Sequence, residues 1–232
     1  MSVIKINLVE IFEIIQDRNY SIIKLPEEFP SYKLGSDLDI FCYDIDILAK
    51  EIINSLQKYI DDKHNIEIEK RDGQMYIDVK KQDRIYFRFD LYDRLPKYYN
   101  LKIKEGFFSS IIENSQIKQI GELKIKVPSQ IDEVILRYIE YHEWYVQRPD
   151  KIKHINYIED QISKKGIDLD VFLDKLHFYT SIPKVLEERI VTKSGILRYI
   201  KYLLALVRKG IIMLKDKGLV NTIKVLAKKR KK

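Results

Sequence analysis

Two aspartates one residue apart, Asp37 and Asp39, sit in the otherwise apolar run Gly35-Ser36-Asp37-Leu38-Asp39-Ile40-Phe41. If this run is a β-strand, residues i and i+2 point to one face, and the two carboxylates stand side by side. Like charges so close repel unless a cation or protons neutralise them. A hard divalent ion such as Mg²⁺ or Mn²⁺ is the simplest neutraliser, because it takes oxygen ligands and commonly keeps a phosphate among them. The pair therefore points to metal-dependent phosphate chemistry. The plain alternative is a strand merely solubilised by acids, since Asp44 and Asp46 follow closely.

A third carboxylate would complete such a site, and Asp90 is the best placed. It lies in Arg84-Ile85-Tyr86-Phe87-Arg88-Phe89-Asp90-Leu91-Tyr92, where apolar and polar residues alternate. Ile85, Phe87, Phe89 and Leu91 share the face suited to a core; Tyr86, Arg88, Asp90 and Tyr92 share the other. Asp78, on a neighbouring strand, and Asp93, at a strand end, compete with Asp90 for the third position. Arg88 either steadies a phosphate or pairs with Asp90. Lys24 and Lys33 flank the acidic strand and either meet phosphates or are solvated. Gly35 and Ser36 precede the pair directly, as residues of a turn that could touch a phosphate.

The elements needed to position these groups can be read on either side of them. Helical spacing runs through Leu8, Ile11, Phe12 and Ile15, and again from Ile45 to Ile60. Strands are expected at 20–25, 34–42, 65–70, 74–80 and 84–92, with Arg71-Asp72-Gly73 as a hairpin turn. After Pro96 the strand pattern fades until a short strand at 123–127. Ser129 reads as an N-cap, with Asp132 and Glu133 in the first turn of a helix reaching Trp144. Further helices fit 151–163, 169–177, 182–190 and much of 195–227. The fold class is α+β: a small mixed sheet with flanking helices, then a helical domain. The expected organisation is a catalytic domain at 1–127, a helical domain at 128–193 and a basic amphipathic tail at 194–232.

The order of strand with Asp37 and Asp39, helix, strands, and strand with Asp90 resembles the nucleotidyltransferase superfamily of DNA polymerase β type. The resemblance covers residues 20 to 95 and rests on a short motif. In that family a Gly-Ser element, an Asp-x-Asp pair and one downstream strand aspartate hold two metal ions. The resemblance implies that Asp37, Asp39 and Asp90 are metal ligands and catalytic residues, and that an NTP donates its NMP to a hydroxyl. It also implies that Gly35, Ser36, Arg88 and Lys33 contact the nucleotide phosphates. Many members place Gly-Ser well before the acidic pair; here Gly35-Ser36 abuts it. The stretch from Leu25-Pro26 to Phe41 looks more like a divergent branch often associated with bacterial surface-polysaccharide synthesis. That branch implies a small or lipid-linked cell-envelope precursor as acceptor. Two alternatives stay open: an AMP-transferring enzyme of the antitoxin type, and a non-catalytic membrane or protein adaptor.

Charge distribution bears on the partner. Of the net +7, residues 194–232 contribute twelve Lys/Arg against the single acid Asp216, a local +11, which leaves −4 on the other 193 residues. Nucleic acid is therefore the weaker fit for the body of the protein. In the tail, Ile196, Tyr199, Ile200, Leu203, Leu206, Val207, Ile211 and Leu214 trace an apolar band among the basic residues. An anionic membrane surface, nucleic-acid phosphates and packing against the protein are its three readings. The single Cys42 excludes an internal disulfide and reads as core filler. Four histidines without metal-ligand spacing argue against zinc. No leader and no run of some 20 apolar residues is visible, so the expected location is the cytoplasm, or the inner face of the plasma membrane as a peripheral protein.

Overall fold

The computed structural model describes residues 6–82, 84–98, 101–144, 151 and 153–182, together with 200, 203–204, 206–208, 211 and 214–215. The chain divides into two compact units: Met1–Lys97 with Lys104–Glu133, and Tyr98–Ile103 with Val134–Lys232.

The first unit is built on a mixed five-stranded sheet. Its strands are β1 (Tyr20–Ile23), β2 (Ser36–Cys42), β3 (His64–Arg71), β4 (Gln74–Lys81) and β5 (Arg84–Tyr92), in the order β1-β2-β5-β4-β3. Only β2 and β5 run parallel; the other three pairings are antiparallel. The connection between β2 and β5 contains α2 (Ile45–Leu56), which closes in a short 3₁₀ turn at Gln57–Tyr59. Asp44 caps α2 by accepting the Ile47 N–H at 2.9 Å, and Asn7 caps α1 (Leu8–Ile15) by accepting that of Val9 at 3.2 Å. Leu8, Ile11, Phe12 and Ile15 of α1 and Ile45, Leu48, Ala49, Ile52 and Leu56 of α2 are buried, as their spacing demands.

These helical stripes share one core with Leu38, Ile40, Cys42, Met75, Ile77, Val79, Phe87, Phe89 and Leu91, which come from alternate positions of β2, β4 and β5. The sheet thus has one apolar face, and period-two alternation sends Asp37, Asp39, Arg88 and Asp90 to the other. Tyr86 is an exception to the simple alternation: it is buried in the same cluster, 6.4 Å from Tyr32 and 5.9 Å from His64 ring to ring. A register shift between Val79 and Lys80 lies opposite it. The Asp72-Gly73 turn joins β3 to β4, and Gly73 has φ +70° as such a hairpin needs.

Two elements were not visible in the sequence pattern. The region read as patternless holds α3 (Gly106–Glu113) and β6 (Gln116–Ile120). α3 has no side-chain cap, since Glu105 at its N-terminus is itself helical. β6 pairs antiparallel with β7 (Leu123–Val127), but its residues are almost all exposed, so it lacks the half-buried alternation that marks a strand. α3 lies against β1 and β2, with Phe108 5.1 Å from Phe41.

α4 (Gln130–Trp144) begins in the first unit. Ser129 accepts the Asp132 N–H at 3.2 Å and donates its hydroxyl to Asp132 Oδ2 at 2.6 Å, as the cap pattern foretold. In the second unit, α5 (Lys153–Lys164) and α6 (Leu169–Tyr179) join the rest of α4, and Tyr138 meets Phe172 edge-on at 6.0 Å. The helix expected at 182–190 lies outside the described residues apart from Ile182, as does most of the expected tail helix. Residues 200, 203–204, 206–208, 211 and 214–215 are helical. Among the described residues no helix is long and apolar enough to cross a membrane.

Candidate active site

The parallel pairing of β2 with β5 fixes the register of the acids. Asp37 stands beside Arg88, and Asp39 beside Asp90. On the other side of β5, Tyr76 stands beside Asp90 and Asp78 beside Arg88. Three strands thus contribute four aspartates, one arginine and one tyrosine to a single patch of the polar face.

The patch is graded in burial. Asp37 is exposed, the Asp39 side chain retains 28% of its accessibility, and Asp90 keeps 7% as a residue. Burial pushes the Asp90 carboxyl up, and negative charge on Asp39 adds to it; the Arg88 guanidinium opposes them, while Asp37 and Asp78 reinforce them. The result is about 7, from an ordinary 3.8. Asp90 Oδ1 is buried without a hydrogen-bond partner, and Arg88 Nε is 3.7 Å away.

Arg88 is committed elsewhere. Its Nε donates to Asp78 Oδ1 at 2.5 Å and its Nη2 to Asp78 Oδ2 at 2.8 Å. Its guanidinium also lies over the Tyr76 ring at 4.7 Å. The hydrogen bond to Asp78 raises the Arg88 pKa further, so it stays charged. Asp78, which competed in the sequence for the third ligand position, is therefore the arginine's bidentate partner. Tyr92, beside Phe41 on the same face, is also raised, first by burial and then by Asp39 and Asp90.

On the other flank, Lys24 follows β1 directly. Its Nζ lies 3.4 Å from Asp39 Oδ2, and its backbone is left-handed, with φ +54°. Lys33 does not join the patch: its side chain is 84% exposed and pairs with Glu28 at 3.3 Å. Its carbonyl instead accepts the Ser36 N–H at 3.1 Å, closing a turn in which Gly35 takes φ +76° and donates its N–H to Tyr86 O at 2.8 Å. Ser36 stands beside Phe87, so alternation places it on the face opposite Asp37. Its hydroxyl is buried and has no hydrogen-bond partner there.

Among the described residues no group of three or more His, Cys, Asp or Glu side chains forms a ready-made metal cage. Asp39 and Asp37 are near enough to Asp90 to add to its upward shift, yet as they stand Asp39 leans on an ammonium and Asp90 faces a guanidinium. Cys42 is core filler, its thiol pushed up to about 12 by burial. On α4, Glu140 takes Lys151 at 2.7 Å and the buried His154 at 3.3 Å, and Arg137 lies 4.0 Å over the Tyr157 ring. Those contacts belong to the second unit. Asp78 and Tyr76 are the members of the acidic patch that pattern alone did not assign; their register opposite Arg88 and Asp90 is what brings them in.

No family model matches the chain, and no curated protein does. Two solved structures from Helicobacter pylori are similar to it. JHP933 is 12% identical with a TM-score of 0.38, over 95% of this chain and 94% of that one. A proposed nucleotidyltransferase is 10% identical with a TM-score of 0.34, over 87% of this chain and 91% of that one.

Proposed function

We propose that this protein is a Mg²⁺- or Mn²⁺-dependent nucleotidyltransferase that moves an NMP from an NTP to a hydroxyl group. The observation that carries the reading is the juxtaposition of Asp39 with Asp90 across the one parallel strand pair, with Asp37 one step along the same face. A carboxyl raised to about 7 by burial first, and then by its acidic neighbours, is costly to keep. Such a cost is characteristic of a functional group.

The donor set suits a hard divalent ion. All three groups are carboxylates, and one buried oxygen, Asp90 Oδ1, still lacks a hydrogen bond. When bound, the ion would neutralise the triphosphate and stabilise the attacking and leaving oxygens. Asp37 and Asp39 would orient the triphosphate through the ion they hold, so that the acceptor oxygen attacks the α-phosphorus and pyrophosphate departs. Asp90 would share in holding the ion and help deprotonate the acceptor hydroxyl. Arg88, held by Asp78, keeps a fixed positive charge next to Asp90 rather than reaching for phosphate. Gly35 and Ser36 shape the turn into β2, leaving phosphate contact to other groups.

The acceptor we favour is a small or lipid-linked cell-envelope precursor. The basic tail supports it: Ile200, Leu203, Leu206, Val207, Ile211 and Leu214 are exposed, in a segment carrying +11. Apolar side chains among Lys and Arg suit the surface of an anionic bilayer. Leu203→Asp with Val207→Asp should abolish co-flotation with phosphatidylglycerol vesicles; unchanged flotation would remove the membrane from the reading.

Isothermal titration with each of the four NTPs in Mg²⁺ tests the central claim. At least one should bind wild-type protein, and Asp37→Ala with Asp39→Ala should lose that binding while circular dichroism stays unchanged. Full binding by the double variant would exclude the acidic pair as the nucleotide–metal site.

A further inference from the structure

We propose that Lys24 is a resident counter-ion that keeps bare metal off Asp39 and passes to the nucleotide phosphates when metal and NTP arrive together. The inference rests on the nucleotidyl-transfer reading and adds to it an order of binding.

The geometry begins with β1. Its last residue, Ile23, stands beside Asp39, so the next residue emerges at the flank of the acidic patch. That residue is a lysine with a left-handed backbone, a conformation that side chains beyond glycine adopt rarely and at a cost. The chain is anchored on both sides of it. β1 is hydrogen-bonded to β2, and five residues later Phe29 is buried with its ring 5.5 Å from that of Phe12. The strained residue is therefore held in place, and its ammonium lies 3.4 Å from Asp39 Oδ2.

A divalent ion on that oxygen and an ammonium at that distance repel. With no anion present, one cation must leave for the other to bind, and metal affinity is lowered by the work of displacing the lysine. A triphosphate changes the balance, because its oxygens can stand between the two cations and attract both. Lys24 has a four-carbon stem with free rotation, and its side chain retains 21% of its accessibility, so its ammonium can follow an incoming phosphate. The same residue thus opposes metal alone and favours metal with nucleotide. Lys33, far more exposed and paired with Glu28, is not placed to do this.

The test uses full-length protein and two probes: Mn²⁺ alone, followed by the electron paramagnetic resonance of the free ion, and an α,β-methylene NTP analogue with Mg²⁺, followed calorimetrically. Lys24→Met should bind bare Mn²⁺ about tenfold more tightly and the Mg²⁺–analogue complex about tenfold more weakly than wild type. Lys24→Arg should remain near wild type in both. Lys24→Gln serves should the methionine variant misfold. Opposite signs for the two probes are the signature, since general damage to the site would weaken both. Unchanged Mn²⁺ affinity, or shifts in one direction for both probes, overturns the role of Lys24. Asp39→Asn separates the two levels of failure. If it abolishes Mn²⁺ binding while Lys24→Met has no effect, the metal site stands and the counter-ion role falls. If wild type itself binds neither probe, both fall together.

Discussion

The two faces of the five-stranded sheet come from the same strands and have opposite energetics. On one face Leu38, Ile40, Ile77, Phe87, Phe89 and Leu91 are buried against α1 and α2. On the other, one residue over, four aspartates crowd around a single arginine in burial enough to push Asp90 up to about 7. Neither face is adjusted at the expense of the other, because alternation lets each strand serve both. The apolar face supplies stability that the polar face uses to hold like charges together. This division makes opposite forecasts for neighbouring residues.

The largest effect belongs to Phe89. Its side chain is fully buried, with its ring 5.0 Å from that of Phe87. Phe89→Ala removes that packing and leaves a cavity, at a cost of about 3–5 kcal/mol. Urea denaturation should show the unfolding free energy falling by that amount. A loss under about 1 kcal/mol would mean this face is not the load-carrying side of the sheet.

Asp90, the next residue along, should respond in the opposite sense. Its folded pKa is raised above its unfolded value, so the folded state binds more protons between pH 4 and 7. Stability present below about pH 4 is therefore lost as pH rises through about 7. The full penalty is on the order of 4 kcal/mol. Asp90→Asn removes the charge but buries an amide with imperfect partners, which returns about 1–3 kcal/mol of it. The net expectation is a gain on the order of 2 kcal/mol at pH 8, a loss of about 1–3 kcal/mol at pH 4, and loss of nucleotidyl transfer. Denaturation midpoints at the two pH values check this; equal midpoints for variant and wild type at pH 8 would show that Asp90 is not under charge stress.

Much of this contrast was legible from spacing. From Phe87 to Tyr92 the run alternates so strictly that its faces could be assigned at once; Tyr86, read with the polar face, is buried in the core cluster instead, and Ser36, read as a phosphate contact, stands on the face opposite Asp37. The Asp78–Arg88 pair was not legible. It depends on the register of β4 against β5, and a register shift between Val79 and Lys80 is a feature that no count of residues along one strand reveals. α3 and β6 escaped for another reason: one lacks a side-chain cap and the other lacks a buried face, the two signals that local pattern uses. For β6 there was still a cue in Gly121-Glu122, a two-residue hairpin loop in front of the strand that was recognised.

The smallest effect sharpens where the charged part of the polar face ends. Glu67 of β3 stands beside Asp78 in register, yet it is bonded to Lys80 instead, at the outer strand of the sheet. The Glu67 side chain is 58% exposed, so water screens the pair and side-chain ordering offsets most of the attraction. Glu67→Gln should therefore leave the melting temperature within experimental scatter and leave NTP binding unchanged. A shift comparable to that of Asp90→Asn would mean that the charge stress spreads across the whole face. Its absence would confine the stress to the strands that meet at Asp39 and Asp90, where the sheet changes from antiparallel to parallel.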